Sequence, residues 1–110
     1  MTAHAQLDVA VEEYLGDRDA LRRLFELAED SAAELDSYLY AGRILTARVG
    51  RDVVGHLQLV DAGVAGEAEL KNMAVRADQQ GHGIGARLVQ TALALAAREG
   101  VRRLIPRPAP

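Results

Sequence analysis

The sequence predicts an α/β or α+β domain in which a mixed, mainly antiparallel sheet is flanked by helices. Apolar residues alternate with polar ones in several short segments and recur at helical spacing in others, which are the patterns of half-buried strands and amphipathic helices. The predicted elements follow the order βααβββαβ, without an internal repeat or an interdomain linker. Because 110 residues are a usual size for one domain, we assign residues 1–105 to a single domain and residues 106–110 to a proline-rich tail.

One strand and two short helices are predicted in the first 42 residues. The alternation that begins at Leu7 is typical of a half-buried strand. Asp17 is suited to cap the helix that follows. Ser31 has Glu34 three residues later, which is the spacing of a capping box, and predicts a second helix ending near Gly42.

The remaining elements are three strands, a helix and a last strand. The strands are predicted at residues 44–49, 53–60 and 67–75. After a polar, glycine-rich loop, the buried stripe of a helix that ends at Gly100 is expected at Ile84, Leu88, Ala92 and Leu95. The last strand covers residues 101–105, and Pro106 stops it because proline lacks a backbone N–H.

The composition narrows the class of protein. A content of 49% hydrophobic and 26% charged residues is that of a globular protein in water. The absence of cysteine excludes a disulfide scaffold, a thiol nucleophile and a cysteine-ligated metal site, and we expect no metal. No apolar stretch is long enough for a membrane span, and the first residues lack the pattern of a signal peptide. We therefore expect a cytoplasmic protein without a membrane partner, and the excess of arginine and alanine indicates a bacterial source.

Charge is distributed unevenly along the chain. Residues 1–36 carry a formal charge of −7 and residues 37–110 carry +4, which together give the net charge of −3. The asymmetry indicates either two solvated faces or two halves that tolerate groups of opposite charge. We expect no nucleic-acid partner, because the basic residues are scattered and no aromatic residues are interleaved with them.

The segment from Gln80 to Ala86 contains three glycines between a predicted strand and a predicted helix. Glycines let a backbone approach an anion closely, and the first N–H groups of a helix are unpaired and positively polarised. The segment therefore predicts a phosphate-binding loop, with a flexible strand-to-helix turn as the structural alternative.

Two common phosphate-binding motifs are excluded by the same residues. A P-loop requires lysine and serine or threonine after its last glycine, whereas Ala86 and Arg87 occupy those positions. The dinucleotide-binding spacing is matched formally by Gly81, Gly83 and Ala86, but that motif requires its glycines directly after the strand, and five residues intervene here.

A third pattern fits better. Residues 70–75, followed by the glycine-rich loop and an apolar helix, resemble the acetyl-CoA-binding core of the GNAT superfamily of N-acetyltransferases. The family pattern R/Q-x-x-G-x-G/A is filled by Gln80, Gly83 and Gly85. The order of elements also resembles that family from Leu7 to Ile105.

The resemblance implies an enzyme that transfers the acetyl group of acetyl-CoA, its cosubstrate, to a primary amine of a small molecule or peptide by direct attack. The backbone of Met73, Ala74 and Val75 would pair with the pantetheine arm. The pyrophosphate would be held by Gln80, Gly81, His82, Gly83, Ile84, Gly85 and Ala86.

The resemblance also implies a general base. Some family members carry a glutamate eleven positions before the first motif residue, and Glu69 occupies that position, with Glu67 as the neighbouring candidate. The alternative for Glu69 is a solvent-facing strand residue. We expect His56 to be a packed or solvent-tipped histidine rather than a base, and we assign no chemistry to His82.

The chain departs from the family pattern after the strand at residues 101–105. The further helix and strands usual in the family are missing, and no tyrosine follows Tyr40 to act as the general acid. The alternative function is therefore a truncated, non-catalytic remnant that binds CoA or only oligomerises. The open sheet edge predicts a homodimer. The acceptor is not identified, although acidic residues at Asp30, Glu34 and Asp36 favour a cationic amine.

Overall fold

The computed structural model describes residues 8–106, which form a five-stranded sheet with helices on both faces. The strands are β1 Val9–Glu13, β2 Arg43–Val49, β3 Asp52–Asp61, β4 Glu67–Val75 and β5 Arg103–Pro106. The helices are α1 Arg22–Glu26, α2 Ala32–Tyr38 and α3 Ile84–Arg98, and short 3-10 turns cover Arg18–Leu21 and Ala77–Gln79. The predicted order βααβββαβ is confirmed. The predicted strand start at Leu7 and residues 107–110 of the tail lie outside the described residues.

The strands lie in the sheet in their chain order, from β1 to β5. The first four pair antiparallel, and β5 pairs parallel to β4 because α3 carries the chain back across the sheet. The mixed, mainly antiparallel sheet is thus confirmed. No helix among residues 8–106 is long and apolar enough to cross a membrane.

Both predicted caps are present, with one change of partner. The Asp17 carboxylate accepts from the N–H of Asp19, 2.9 Å away, at the start of the 3-10 turn before α1. At α2, Ser31 Oγ accepts from the N–H of Glu34 at 3.1 Å, as a capping box requires. The N–H of Ser31 itself donates to the carboxylate of Glu29 at 3.2 Å, so Glu29 supplies the return contact expected of Glu34.

Helix α3 covers one face of the sheet. Its buried residues are Ile84, Leu88, Ala92 and Ala96. Leu95, which the sequence pattern placed in the buried stripe, is only partly buried against the same core. The sheet contributes buried side chains to this cluster from Leu45, Ala47, Val54, Leu57 and Leu59.

Helices α1 and α2 cover the opposite face. Ile44 is adjacent to Leu45 in β2 and therefore points away from α3, because successive strand residues face opposite sides of a sheet. The cluster on this face consists of Leu21, Phe25, Leu35, Tyr38, Leu39 and Ile44. The fold is therefore three layers, with the sheet between α3 and the α1–α2 pair.

A β-bulge interrupts β4 at Lys71. Gln58 of β3 lies opposite Asn72, but the next residue of β3, Leu59, lies opposite Leu70, so Lys71 is an extra residue in β4. The bulge explains why the apolar residues Leu70 and Met73 are three positions apart and yet pack on the same core. It also turns Asn72 toward the α1–α2 side, where its side chain contacts Phe25 and Tyr38.

Candidate functional site

The parallel pairing of β4 with the edge strand β5 is described up to the residue before the bulge. The described pairing of β4 with β5 covers four residues of β4 and ends where Leu70 lies opposite Pro106. Beyond that point, residues 71–75 of β4 have no described strand on the β5 side. Such an edge presents backbone N–H and C=O groups that an extended ligand can pair with.

A cleft of about 640 Å³ opens beside this edge, between the end of β4 and the start of α3. Eight of the ten residues predicted to bind the cofactor line it: Met73, Ala74, Val75, Gln80, Gly81, Gly83, Ile84 and Gly85. His82 and Ala86 are exposed outside the lining. Leu27, at the end of α1, also lines the cleft and is 62% exposed, a contribution that the sequence did not predict.

The glycines of the loop have different roles. Gly81 and Gly83 have φ angles of +83° and +75°, a left-handed conformation that other residues rarely adopt, and the space beside each is open. Gly83 is the N-cap of α3 and provides no side-chain hydrogen bond to the first helical N–H groups. At Gly85 a Cβ would lie 3.2 Å from Met73 Cε, so the absence of a side chain lets the first turn of α3 approach β4.

The side chain of Gln80 fixes the loop rather than facing the cleft as a free donor. Its Nε2 donates to the carbonyl oxygen of Val75 at 3.0 Å. This contact joins the loop to the last residue of β4, five positions earlier. The N–H of Arg76 donates to the carbonyl of Val54 in β3 at 2.7 Å. This bond holds the end of β4 against β3.

The two candidate bases lie on β4 before the bulge, and each is close to a cation. The Glu69 carboxylate lies 3.8 Å from Lys71 Nζ, and the Glu69 side chain is 21% exposed. The Glu67 carboxylate lies 3.6 Å from the Arg103 guanidinium of β5. Lys71 Nζ also lies 4.9 Å from the centroid of the Tyr38 ring. Sequence reasoning did not single out Lys71, although the three-residue spacing from Leu70 to Met73 was a signal of the bulge.

A buried chain of hydrogen bonds lies behind β4 and was also missed from the sequence. The Asn72 amide donates to Tyr38 Oη at 2.9 Å and to the carbonyl of Phe25 at 3.2 Å. Tyr38 Oη donates to the Glu29 carboxylate at 2.8 Å. Asn72 Oδ1 lies 2.7 Å from His56 Nε2. These bonds tie the strand at the bulge to α1 and α2.

His56 is the fully buried end of this chain. Its ring stacks on Phe25, with centroids 4.1 Å apart. Burial lowers the pKa of His56 to about 4, against the opposite effect of its hydrogen bond to Asn72. The ring is therefore neutral at pH 7, and since Asn72 Oδ1 is an acceptor, Nε2 carries the proton. The structure thus places His56 as a packed histidine.

No group of three or more histidine, aspartate or glutamate side chains within residues 8–106 is arranged to hold a metal ion. The site described above consists of main-chain groups, glycines, carboxylates and one lysine.

Comparison with known proteins gives one family. Residues 8–106 match the profile described as the acetyltransferase (GNAT) family. The comparison with curated proteins gave no match.

Solved structures agree with this fold. An IAA acetyltransferase from Bacillus cereus ATCC 14579 superposes with a TM-score of 0.78 at 28% identity over 88% of this chain. An acetyltransferase from Bacillus subtilis in complex with CoA superposes with a TM-score of 0.78 at 29% identity, also over 88% of this chain. A GNAT family acetyltransferase from Elizabethkingia anophelis with acetyl-CoA bound superposes with a TM-score of 0.81 at 23% identity over 90% of this chain. The chain covers 63%, 63% and 64% of these three proteins, less than two thirds of each.

We predict that burial of His56 makes folding sensitive to acid. The pKa of His56 is about 4 in the folded protein and near 6.5 in the unfolded chain, so the unfolded chain takes up the proton first. The contribution of His56 to the free energy of unfolding is fully present above pH 6.5 and is lost as the pH falls toward 4. The expected decrease in the free energy of unfolding is about 3 kcal/mol. Urea unfolding of the wild type at several pH values between 7 and 4 measures this decrease.

The variant His56→Gln is expected to flatten this pH dependence, whatever its effect on stability at pH 7. His82→Gln removes an exposed histidine and serves as the matched control. Equal pH dependence in the wild type and His56→Gln would contradict the assignment.

Proposed function

This chain belongs to the GNAT acetyltransferase family, and we propose that it transfers the acetyl group of acetyl-CoA to a primary amine of a small molecule or peptide. The observation that carries the proposal is the edge of β4 at residues 71–75, which has no strand beside it among the described residues and lies next to a glycine loop at the start of α3. CoA has an extended pantetheine arm that can pair with such a strand edge, and a pyrophosphate at the far end of that arm that can bind such a loop.

The pantetheine arm would pair with the backbone of Met73 and Val75 as an added strand, with Ala74 between them. The pyrophosphate would meet the amides of residues 81–86, where the left-handed glycines leave open space and the helix N-terminus is positively polarised. The E. anophelis and B. subtilis proteins, which hold acetyl-CoA and CoA, support this cofactor.

For catalysis we propose direct attack. The neutral amine adds to the thioester carbonyl, a C–N bond forms, the C–S bond breaks, and CoA leaves as a thiolate that takes up a proton. Glu69 would accept the proton that the ammonium must lose, with Glu67 two residues earlier as the second candidate, acting through a water. Holding the amine and the thioester together supplies much of the rate.

The acceptor would reach the thioester from the α1–α2 side, where Glu69 and the exposed Leu27 lie. The acidic first third of the chain, with Asp30, Glu34 and Asp36, favours a cationic amine. Composition supports the further proposal of a cytoplasmic enzyme from a bacterium.

We also propose that the protein forms a homodimer. The outer edge of β5 has no described strand beside it, and unprotected edges associate. Sedimentation of the full chain at tens of micromolar, roughly the range in which exposed edges associate, is expected to give a dimer. A stable monomer at that concentration would contradict this proposal.

The loop is tested by Gly83→Asp and Gly83→Asn. Asparagine and aspartate have nearly the same shape and are the side chains that best tolerate a left-handed conformation, so the two variants differ mainly in charge. We expect Gly83→Asp to bind CoA roughly 100-fold more weakly than Gly83→Asn, because its carboxylate faces the pyrophosphate. Calorimetric titration with CoA measures the affinities, and thermal unfolding checks that both variants fold. Equal affinities would place the pyrophosphate elsewhere.

The base is tested by Glu69→Gln. The amide keeps the size of the side chain but cannot accept the proton, so turnover should fall by roughly a hundredfold while CoA affinity stays nearly unchanged. Thiol release from acetyl-CoA with a panel of amines measures turnover. Glu12→Gln, on the distant strand β1, is the control for loss of a surface carboxylate. A larger loss in Glu67→Gln than in Glu69→Gln would exchange the two roles, and binding without turnover in the wild type would favour the non-catalytic alternative.

A further inference from the structure

We propose that Lys71 is a self-acetylation site, at which the bound acetyl-CoA transfers its acetyl group to the chain that holds it. This inference rests on the proposed function, because it requires acetyl-CoA in the cleft beside β4. The sequence contains a single lysine, and the fold places it on the strand that forms that cleft.

The register along β4 brings Lys71 to the reacting end of the cofactor. With the pyrophosphate at the loop after β4, the pantetheine arm runs back along the strand from Val75 past Met73. The four steps along the strand from Val75 to Lys71 span about 13 Å at ~3.3 Å per residue. An extended arm with two amide groups is of similar length, so its thioester ends near the bulge.

The surroundings of Lys71 provide a proton acceptor and hold the amine. The Glu69 carboxylate lies 3.8 Å from Nζ, an ion pair that a side-chain movement of under 1 Å would bring to hydrogen-bond distance for proton transfer. Nζ also lies over the Tyr38 ring, 4.9 Å from its centroid. The side chain is only 29% exposed, so it is partly shielded from water and still accessible.

The reaction balances without another reactant. The ammonium of Lys71 gives one proton to Glu69 and becomes a neutral amine. Its nitrogen attacks the thioester carbonyl, the C–N bond forms and the C–S bond breaks. The second proton from nitrogen ends on the departing thiolate, and Glu69 returns its proton to solvent. The products are Nε-acetyllysine at position 71 and free CoA.

Acetylation would also change the site. The neutral amide replaces a cation that lies beside Glu69 and over Tyr38, so the Glu69 carboxylate loses its nearest ion-pair partner. The modified enzyme would therefore present Glu69 free to receive the ammonium of an external acceptor.

The test follows acetylation of the purified full chain by acetyl-CoA with mass spectrometry. Trypsin does not cleave after acetyllysine, so modification at Lys71 leaves residues 52–76 as one peptide and is distinguished from modification of the N-terminal amine. The variant Arg51→Lys adds an exposed lysine in the β2–β3 turn, and its acetylation measures the rate of non-specific chemistry in the same molecule.

We expect Lys71 to be acetylated at least about tenfold faster than the lysine introduced at position 51, because the cofactor is held beside it. Unfolding in urea should remove the difference, and Gly83→Asp and Glu69→Gln should each slow Lys71 toward the non-specific rate.

A direct titration of acetyl-CoA binding separates the two proposals. If acetyl-CoA binds but Lys71 reacts no faster than the introduced lysine, self-acetylation is wrong and the proposed function stands. If acetyl-CoA does not bind, both proposals are overturned.

Discussion

The insertion of Lys71 into β4 is the constraint on which the site depends. Lys71 is one extra residue in the strand, so its two neighbours face opposite sides of the sheet. Leu70 points toward α3, and Asn72 points toward α1 and α2. Before the bulge, β4 pairs with β5 on its outer edge; after it, the described pairing has ended and the cleft begins. A regular strand would turn Asn72 away from Tyr38, because successive strand residues face opposite sides of the sheet.

An irregular strand needs support, and the buried polar chain from Glu29 through Tyr38 and Asn72 to His56 provides it. Each bond in this chain lies on the α1–α2 side, where water is excluded, and an unpaired polar group there would cost about 1–3 kcal/mol. The same chain explains why Glu29 is buried and caps α2 through Ser31. Helix α2 and strand β4 are thus held by shared partners.

Much of the fold could be predicted from the sequence because alternation, helical spacing and caps are local signals. The loop from Gln80 to Ala86 was found for the same reason. What could not be predicted depends on register between strands: the contact of Asn72 with His56, and the position of Lys71 beside Glu69 and Tyr38. Ala96 rather than Leu95 completes the buried stripe of α3, a difference of one residue that spacing alone does not resolve.

The cleft is assembled almost entirely from one short stretch of chain, residues 73–85, with Leu27 as the addition described from elsewhere. Contacts between residues close in sequence form with little loss of chain entropy, so this strand–loop–helix unit is a local module. The rest of the domain, α1, α2 and the outer strands, supports this unit through buried side chains, whereas its exposed residues carry no such constraint. Exposed residues on the α1–α2 side can therefore change without rebuilding the cleft.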